Sequence, residues 1–376
     1  LTGQRNLSER QNTIAAFDSH KKWHKAQPFR YDSDDNVVFT EVHLSHQPNK
    51  ILNKFTNDFL DGGFNPLINA ISKDFTSESE DRPNTSKIHF LLVIAWFLEA
   101  ERHRNGAKAN NIDYGLIVAG LTEKTFILVF KYLTEGFDNK VWSLVHAAVI
   151  TFKEIVTTTN FMALSESEED KEIATNIKER LFHKKHYLDL MAKVPTYAYK
   201  HSPTYVNNCV DLVDVVLKTL EEFANEDMVL FIQSNRKQRK RKNVSREQEE
   251  IDDMEGSDGE ELERTSRKLS AQRKFDFKKY QTQFVNAAAI ETYMAYLSRF
   301  EDLSEKDIKK GLKFLHRAFY IQKNHVVLFR LDFMLLLHRL LSGDGLPKRS
   351  NIRKHFSEFL SYYMKKLKKS LDTTPS

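Results

Sequence analysis

Only one cysteine, Cys209, occurs in this sequence of 376 residues, which excludes an internal disulfide and any cysteine-cluster metal site. It sits in an apolar helical run and reads as a small buried residue. Glycine and proline are equally scarce, at 12 and 8 residues, or about 3% and 2% where ordinary usage is roughly 7% and 5%. Few turn residues mean few turns, hence long elements, and no stretch alternates apolar and polar as a half-buried strand does. The chain opens Leu-Thr-Gly-Gln without an apolar signal core, so secretion is not expected. The most apolar run, Ile88 to Leu98, is too short to span a bilayer and is hemmed by Lys87, Glu99, Glu101 and Arg102. It reads as a core helix, and no membrane partner is expected.

Catalytic signatures are missing as well. There is no phosphate-cradling glycine loop of the P-loop or dinucleotide type, no GxSxG and no HExxH. Gly343-Asp344-Gly345 reads as a helix stop. The histidine pairs His20/His24, His43/His46 and His183/His186 lack a nearby third ligand, which zinc requires, and lysines crowd two of the pairs. The reading is a protein without cofactor or metal and without enzymatic activity. Charge of one sign is not in excess either: 57 Lys and Arg against 52 Asp and Glu leave a net +5, too little by itself to imply nucleic-acid binding.

What the chain does have is helical periodicity. Ile51, Leu52, Phe55, Phe59 and Leu60 form one face, ended by Gly62-Gly63, and a second short helix follows Asn65-Pro66. Residues 74–86 read as a loop, and 87–104 as a helix apolar on nearly all sides. Thr122 caps a helix to about 136, and further helices are expected over 138–160 and 166–192. Ser202-Pro203 is a helix start. Beyond a charged segment, helices are expected at 280–300, at 304–321 behind the Ser304 cap, at 324–342 and at 348–369. Leu-His-Arg recurs at 315–317 and 337–339, a spacing of one helix and its turn. Helix pairs would then recur at armadillo/HEAT length.

The charged segment, 236–272, cannot bury apolar surface and is expected to be solvated. Arg236, Lys237, Arg239, Lys240, Arg241 and Lys242 suit a nuclear import signal, with phosphate contact or a plain solvated linker as the other readings. Ten carboxylates then fall between Glu247 and Glu263, and Ser257 among them is a candidate phosphorylation site for an acidophilic kinase. Three smaller basic groups are candidates for duplex DNA: Lys21, Lys22, Lys25 and Arg30, interleaved with Trp23 and Phe29; Lys184 and Lys185; and Lys365, Lys366, Lys368 and Lys369. The last group also ends a helix, where cations favour the dipole anyway. No motif supplies base readout, so such binding is expected to ignore DNA sequence.

Three stretches together resemble the Timeless family of replication-fork proteins: Phe55-Thr56-Asn57-Asp58-Phe59-Leu60 through Phe64-Asn65-Pro66-Leu67; Phe275-Asp276-Phe277-Lys278-Lys279-Tyr280 with Phe284; and Leu315-His316-Arg317 with Leu328-Phe329-Arg330-Leu331 and Arg339-Leu340-Leu341-Ser342. The likeness runs from about 50 to 369, is nearest to fungal members, and makes the chain an internal fragment. It implies an all-α armadillo/HEAT-like α-solenoid in the nucleus. It also implies a non-catalytic scaffold of the fork protection complex, supporting fork pausing, fork stability and checkpoint signalling. The implied partners are a Tipin-type subunit, a Claspin-type mediator, the replicative MCM helicase and duplex DNA. The expected layout is an irregular arm over 1–50, solenoid over 51–235, a disordered insertion over 236–272, solenoid again over 273–371 and a tail over 372–376. Helices 304–369 are expected to carry the Tipin-type partner. Phe329, Phe333, Phe356 and Phe359 are candidates to close the end face or a partner groove, with core packing as the rival role. The competing function is an armadillo-type peptide-binding adaptor or transport receptor. Such receptors space Trp and Asn along one helix per repeat, whereas here Trp96 lies in an all-apolar run.

Overall fold

The computed structural model describes residues 44–77, 82–104, 106, 108–196, 198–225, 277–343 and 345–373. They are all-α as expected, with no β-strand among them. The helices are α1 (His46–Gly62), α2 (Phe64–Ser77), α3 (Asn84–Arg104), α4 (Glu123–Asp138), α5 (Trp142–Ala163), α6 (Glu168–His183), α7 (Lys185–Lys193), α8 (Pro203–Asn225), α9 (Phe277–Phe284), α10 (Ala287–Leu297), α11 (Glu305–His316), α12 (Leu331–Leu341) and α13 (Asn351–Thr373). Most of the arm expected over 1–50, the insertion over 236–272 and most of the tail lie outside the described residues.

Helix α5 sits at the centre of the first half. It is buried on nearly all sides, from Ser143 to Met162, because α3, α4, α6 and α8 all pack on it. Gly136 permits the tightest approach: a Cβ there would lie 2.7 Å from Val145 Cγ2 and 3.1 Å from the Val145 backbone nitrogen. Helix α8 then carries the core across to the second half, packing on α10 and α11, while α12 and α13 close the far end.

Local chemistry sets the starts. The Thr122, Ser167, Asn286 and Ser304 side chains accept from backbone N–H groups three residues on, the usual N-cap bond. The Phe-Asn-Pro-Leu stretch has a structural role. Phe64 is buried, and Asn65 clamps the 3-10 segment Tyr114–Leu121 by donating to Gly115 O at 2.7 Å and accepting from Ala119 N at 3.0 Å.

Four expectations about helix extent need correction. The run 166–192 is two helices, because Lys184 is extended (ψ 107°) and lets Tyr187 stack on Phe130 at 3.6 Å. The run 280–300 breaks at Asn286, which caps α10. The run 304–321 is α-helical only to His316 and widens into a π turn over Arg317–Ile321. The run 324–342 begins as a 3-10 turn, and α12 starts only after the extended Arg330. A fifth correction concerns α3. Its apolar residues are buried on nearly all sides, but Trp96 keeps 40% of its surface exposed, and the charged Lys87, Glu101 and Arg102 are buried with them.

Candidate functional site

The buried charges of the first half are paired within the fold. Arg102 donates to Glu154, which also meets Lys153 at 3.0 Å; Lys87 pairs with Glu135; Glu101 accepts from the Asp113 N–H at 3.1 Å. Among the described residues no group of three or more His, Cys, Asp or Glu could hold a metal ion, and no helix is long and apolar enough to cross a membrane. Cys209 is fully buried, and that burial pushes its thiol far up, away from reactivity.

His146 is buried in the α5–α8 contact, its Nε2 accepting from the Asn208 carboxamide at 3.0 Å. Burial, aided by His201 and Lys153, lowers its pKa to about 4, so it is neutral at physiological pH.

An ion-pair ladder joins the two halves. Asp211, Asp214 and Glu221 lie along one edge of α8, opposite Lys310, Lys313 and Arg317. Lys310 Nζ is 2.6 Å from Asp211 and 2.7 Å from Asp307; Lys313 is 3.7 Å from Asp214; Arg317 donates to Glu221. Burial alone would lower Lys310, but the two carboxylates outweigh it and raise its pKa. Burial alone would raise Asp307, but Lys310 and the Ser304 hydroxyl outweigh it and lower its pKa.

The candidate contacts divide by location. Arg236, Lys237, Arg239, Lys240, Arg241, Lys242 and Ser257 lie outside the described residues, as do Lys21, Lys22, Lys25 and Arg30. Lys184 and Lys185 are exposed at the start of α7, and Lys184 already faces Glu123 at 3.7 Å and the Tyr187 ring at 5.2 Å. Lys365, Lys368 and Lys369 are exposed near the end of α13, while Lys366 lies half-buried over the Tyr362 ring. That ring begins a stack: Tyr362 on Tyr320 at 4.0 Å, and Tyr320 on His316 at 4.4 Å.

Phe333, Phe356 and Phe359 do not face outward. They are buried, with Phe333 against Tyr363 at 5.6 Å and Phe359 against Phe319 at 5.6 Å. Phe329 is half-buried against Phe319 and Tyr363. Phe329, Phe333 and Phe359 join the π turn Arg317–Ile321, α12 and α13, and Phe356 is buried in the same core, so the core role is the one the structure gives them. Among the outward apolar residues of this part are Val326 (79% exposed), Leu331 (72%) and Leu335 (59%), beside Ile321, Met364 and Leu371. Leu331 and Leu335 are one helical turn apart and share a face of α12. Sequence reading passed over Leu335 because it lies among true core positions, Phe333, Leu336 and Leu337, in one apolar run.

Comparison with known proteins adds a family. Residues 287–376, from α10 onward, match the family described as "TOF1-like, helical domain". The whole chain is similar to proteins named topoisomerase 1-associated factor 1. It is 36% identical to that of Candida albicans over 401 aligned residues, covering 32% of that protein, and 34% identical to that of Scheffersomyces stipitis, also covering 32%. Against that of Saccharomyces cerevisiae it is 30% identical over 398 residues, covering 31%. The chain thus spans about a third of the length of these curated relatives. They are named as associated factors rather than enzymes.

Proposed function

We propose that this chain is an internal helical segment of a replication fork-associated scaffold of the topoisomerase 1-associated factor type, the fungal relatives of Timeless. The observation that carries the reading is similarity along the entire chain to about a third of each such factor. The relatives' printed name, an associated factor, supports a role in binding rather than catalysis.

In this reading the two helical parts stack as one α-solenoid. The exposed pair Leu331 and Leu335 of α12, with Val326 exposed in the turn before it, takes a Tipin-type subunit, and duplex DNA meets the lysines closing α13. The Claspin-type mediator and the MCM helicase would use other surfaces, and the relatives' name adds topoisomerase 1 as a further candidate partner. The basic strip Arg236–Lys242 would serve nuclear import. A tagged chain with all six cations changed to Ser that stays nuclear would remove that role from the strip.

Co-expression with a Tipin-type subunit, followed by size-exclusion chromatography with and without duplex DNA, tests the reading. The two proteins should co-elute, and DNA should shift the complex at low salt. If two or three phosphates are contacted, affinity should fall ~10- to 40-fold between about 50 and 200 mM salt. Separate elution of the two proteins, or DNA binding indifferent to salt, would refute the corresponding part.

A further inference from the structure

The exposure of Trp96 leads to a feature at the other end of the molecule. A groove of about 750 Å3 runs between α1 and α3. Its α1 wall carries Asn49, Asn53 and Asn57, and its α3 wall carries Trp96, Glu99 and His103. Leu52 and Ala100 also line it, while Thr56 turns its hydroxyl away to donate to its own helix at Leu52 O.

The three asparagines sit four residues apart, on a single row. None of their carboxamides is hydrogen-bonded to a described residue, although each holds two donor hydrogens and an acceptor oxygen. The α3 wall is fixed in place. The Trp96 ring meets Phe97 edge-on at 4.7 Å, and Phe97 is buried against Phe59 and Phe64. Asn49 and Asn53 are exposed and Asn57 is half-buried, so water satisfies these amides in the free protein, and a ligand lying along the indole face would exchange that water for its own polar groups.

The spacing says what fits. Four residues of α-helix rise ~6.0 Å, and a row of such positions is inclined by roughly 26° to the axis, so the side-chain repeat is ~6.7 Å. Two residues of extended chain advance ~6.6 to 6.8 Å. Each carboxamide therefore reaches the same backbone group on every second residue of an extended peptide. It can accept from an N–H and donate to a C=O there. Three asparagines span ~13 Å, or about five peptide residues.

Charge selects among peptides. Arg104, at the groove's end, is held by Asp61 at 2.7 Å and by Glu101. Glu99 is exposed and makes no ion pair with a described residue; it lies one turn from Trp96 on the same face. A cationic side chain set between them gains the face of the indole and a carboxylate together. Lys50 and Lys54 of α1 are not part of the lining.

We propose that the α1–α3 groove binds an extended peptide segment of another protein, with its backbone held by Asn49, Asn53 and Asn57 and a Lys or Arg side chain seated between Trp96 and Glu99. The site is independent of the fork reading: a scaffold can carry it, and so can an adaptor.

The test uses the full chain and a fluorescein-labelled decapeptide of alternating lysine and threonine, read by fluorescence anisotropy. Saturable binding is expected, weakened at least tenfold by N49A/N53A/N57A, whose melting temperature should stay near that of the parent, and also by W96A. Two further peptides carry N-methyl groups on alternate backbone nitrogens, one in each register. One register should bind and the other should fail, because only one set of N–H groups faces the asparagines. E99K should weaken the lysine peptide and favour its glutamate counterpart. Absence of saturable binding overturns the proposal. So does binding that survives the triple asparagine substitution, as general attraction to the acidic run Glu247–Glu263 would. Equal binding of both methylated registers, or no change in charge preference with E99K, overturns it as well.

Discussion

Replacing Lys310 with Met tests whether residues on either side of 226–276 pack as described. The Lys310 ammonium makes two charge-assisted hydrogen bonds, to Asp211 on α8 and to Asp307 on its own helix. In a dry interior each is worth roughly 1.5–3 kcal/mol, and on an open surface ~0.2–1. Here the Lys310 side chain is 25% exposed and Asp211 29%, so solvent screens both, and about 1 kcal/mol each is the reasonable value. Lys310→Met should then lower the free energy of local opening of α11 by ~2 kcal/mol, or roughly 30-fold faster amide exchange over Glu305–His316. A double-mutant cycle with Asp211→Asn should return ~1 kcal/mol of coupling in the same measurement, and a cycle with Asp307→Asn a similar value. The Asp307 cycle is an internal comparator, since that pair is local to α11. Zero coupling with Asp211 beside intact coupling with Asp307 would mean that α8 and α11 do not meet. Asp307 is lowered and Lys310 raised, so the contribution is present between about pH 4 and 10, the ordinary Asp and Lys values. It is lost as pH falls through the lowered Asp307 pKa or rises through the raised Lys310 pKa.

Other perturbations have equally definite outcomes. Gly136→Ala gains ~1 kcal/mol of helix propensity but drives a Cβ into the Val145 backbone, an overpacking cost of roughly 1–3 kcal/mol or more; calorimetry should show a lower melting temperature, and a higher one would contradict the α4–α5 crossing. His146 titrates near pH 4 when folded and near 6.5 when unfolded, so the unfolded chain binds the extra proton between these values. Its contribution is therefore full above pH 6.5 and falls by about 3 kcal/mol as pH drops toward 4; His146→Gln should flatten thermal stability across that window, and an unchanged slope would place the titration elsewhere. Charge reversal at Lys365, Lys366, Lys368 and Lys369 should weaken duplex binding and reduce its salt slope, with only a small fall in melting temperature from the lost dipole and Tyr362 contacts; an unaltered slope would take DNA off α13.

The sequence made the helical class and several boundaries legible because those signals are local. Thr122 and Ser304 cap the helices they were expected to cap, and Gly62-Gly63 ends α1. What it concealed depends on neighbours distant along the chain. Trp96 looks like a core residue in its own helix, yet it stands exposed in the groove beside α1. Lys87, Glu101 and Arg102 read only as charges hemming an apolar run, yet Glu135, the Asp113 backbone and Glu154 draw them inside. Phe333 and Leu335 stand two residues apart in one apolar run, and burial separates them completely. The Asn286 cap was readable by the usual rule, but it was hidden inside a stretch that looked continuous. The asparagine row was also visible as Asn49, Asn53 and Asn57, but its meaning required the wall opposite.

The scaffold reading is tested most directly at the exposed row of α12. Titration calorimetry of the full chain with a Tipin-type subunit should give saturable binding. L331D/L335D should weaken it at least tenfold, because two charges would be buried without partners, while amide exchange in α10 and α11 stays as in the parent. Unchanged affinity in that variant, with the fold intact, would contradict the account and place the partner on another surface.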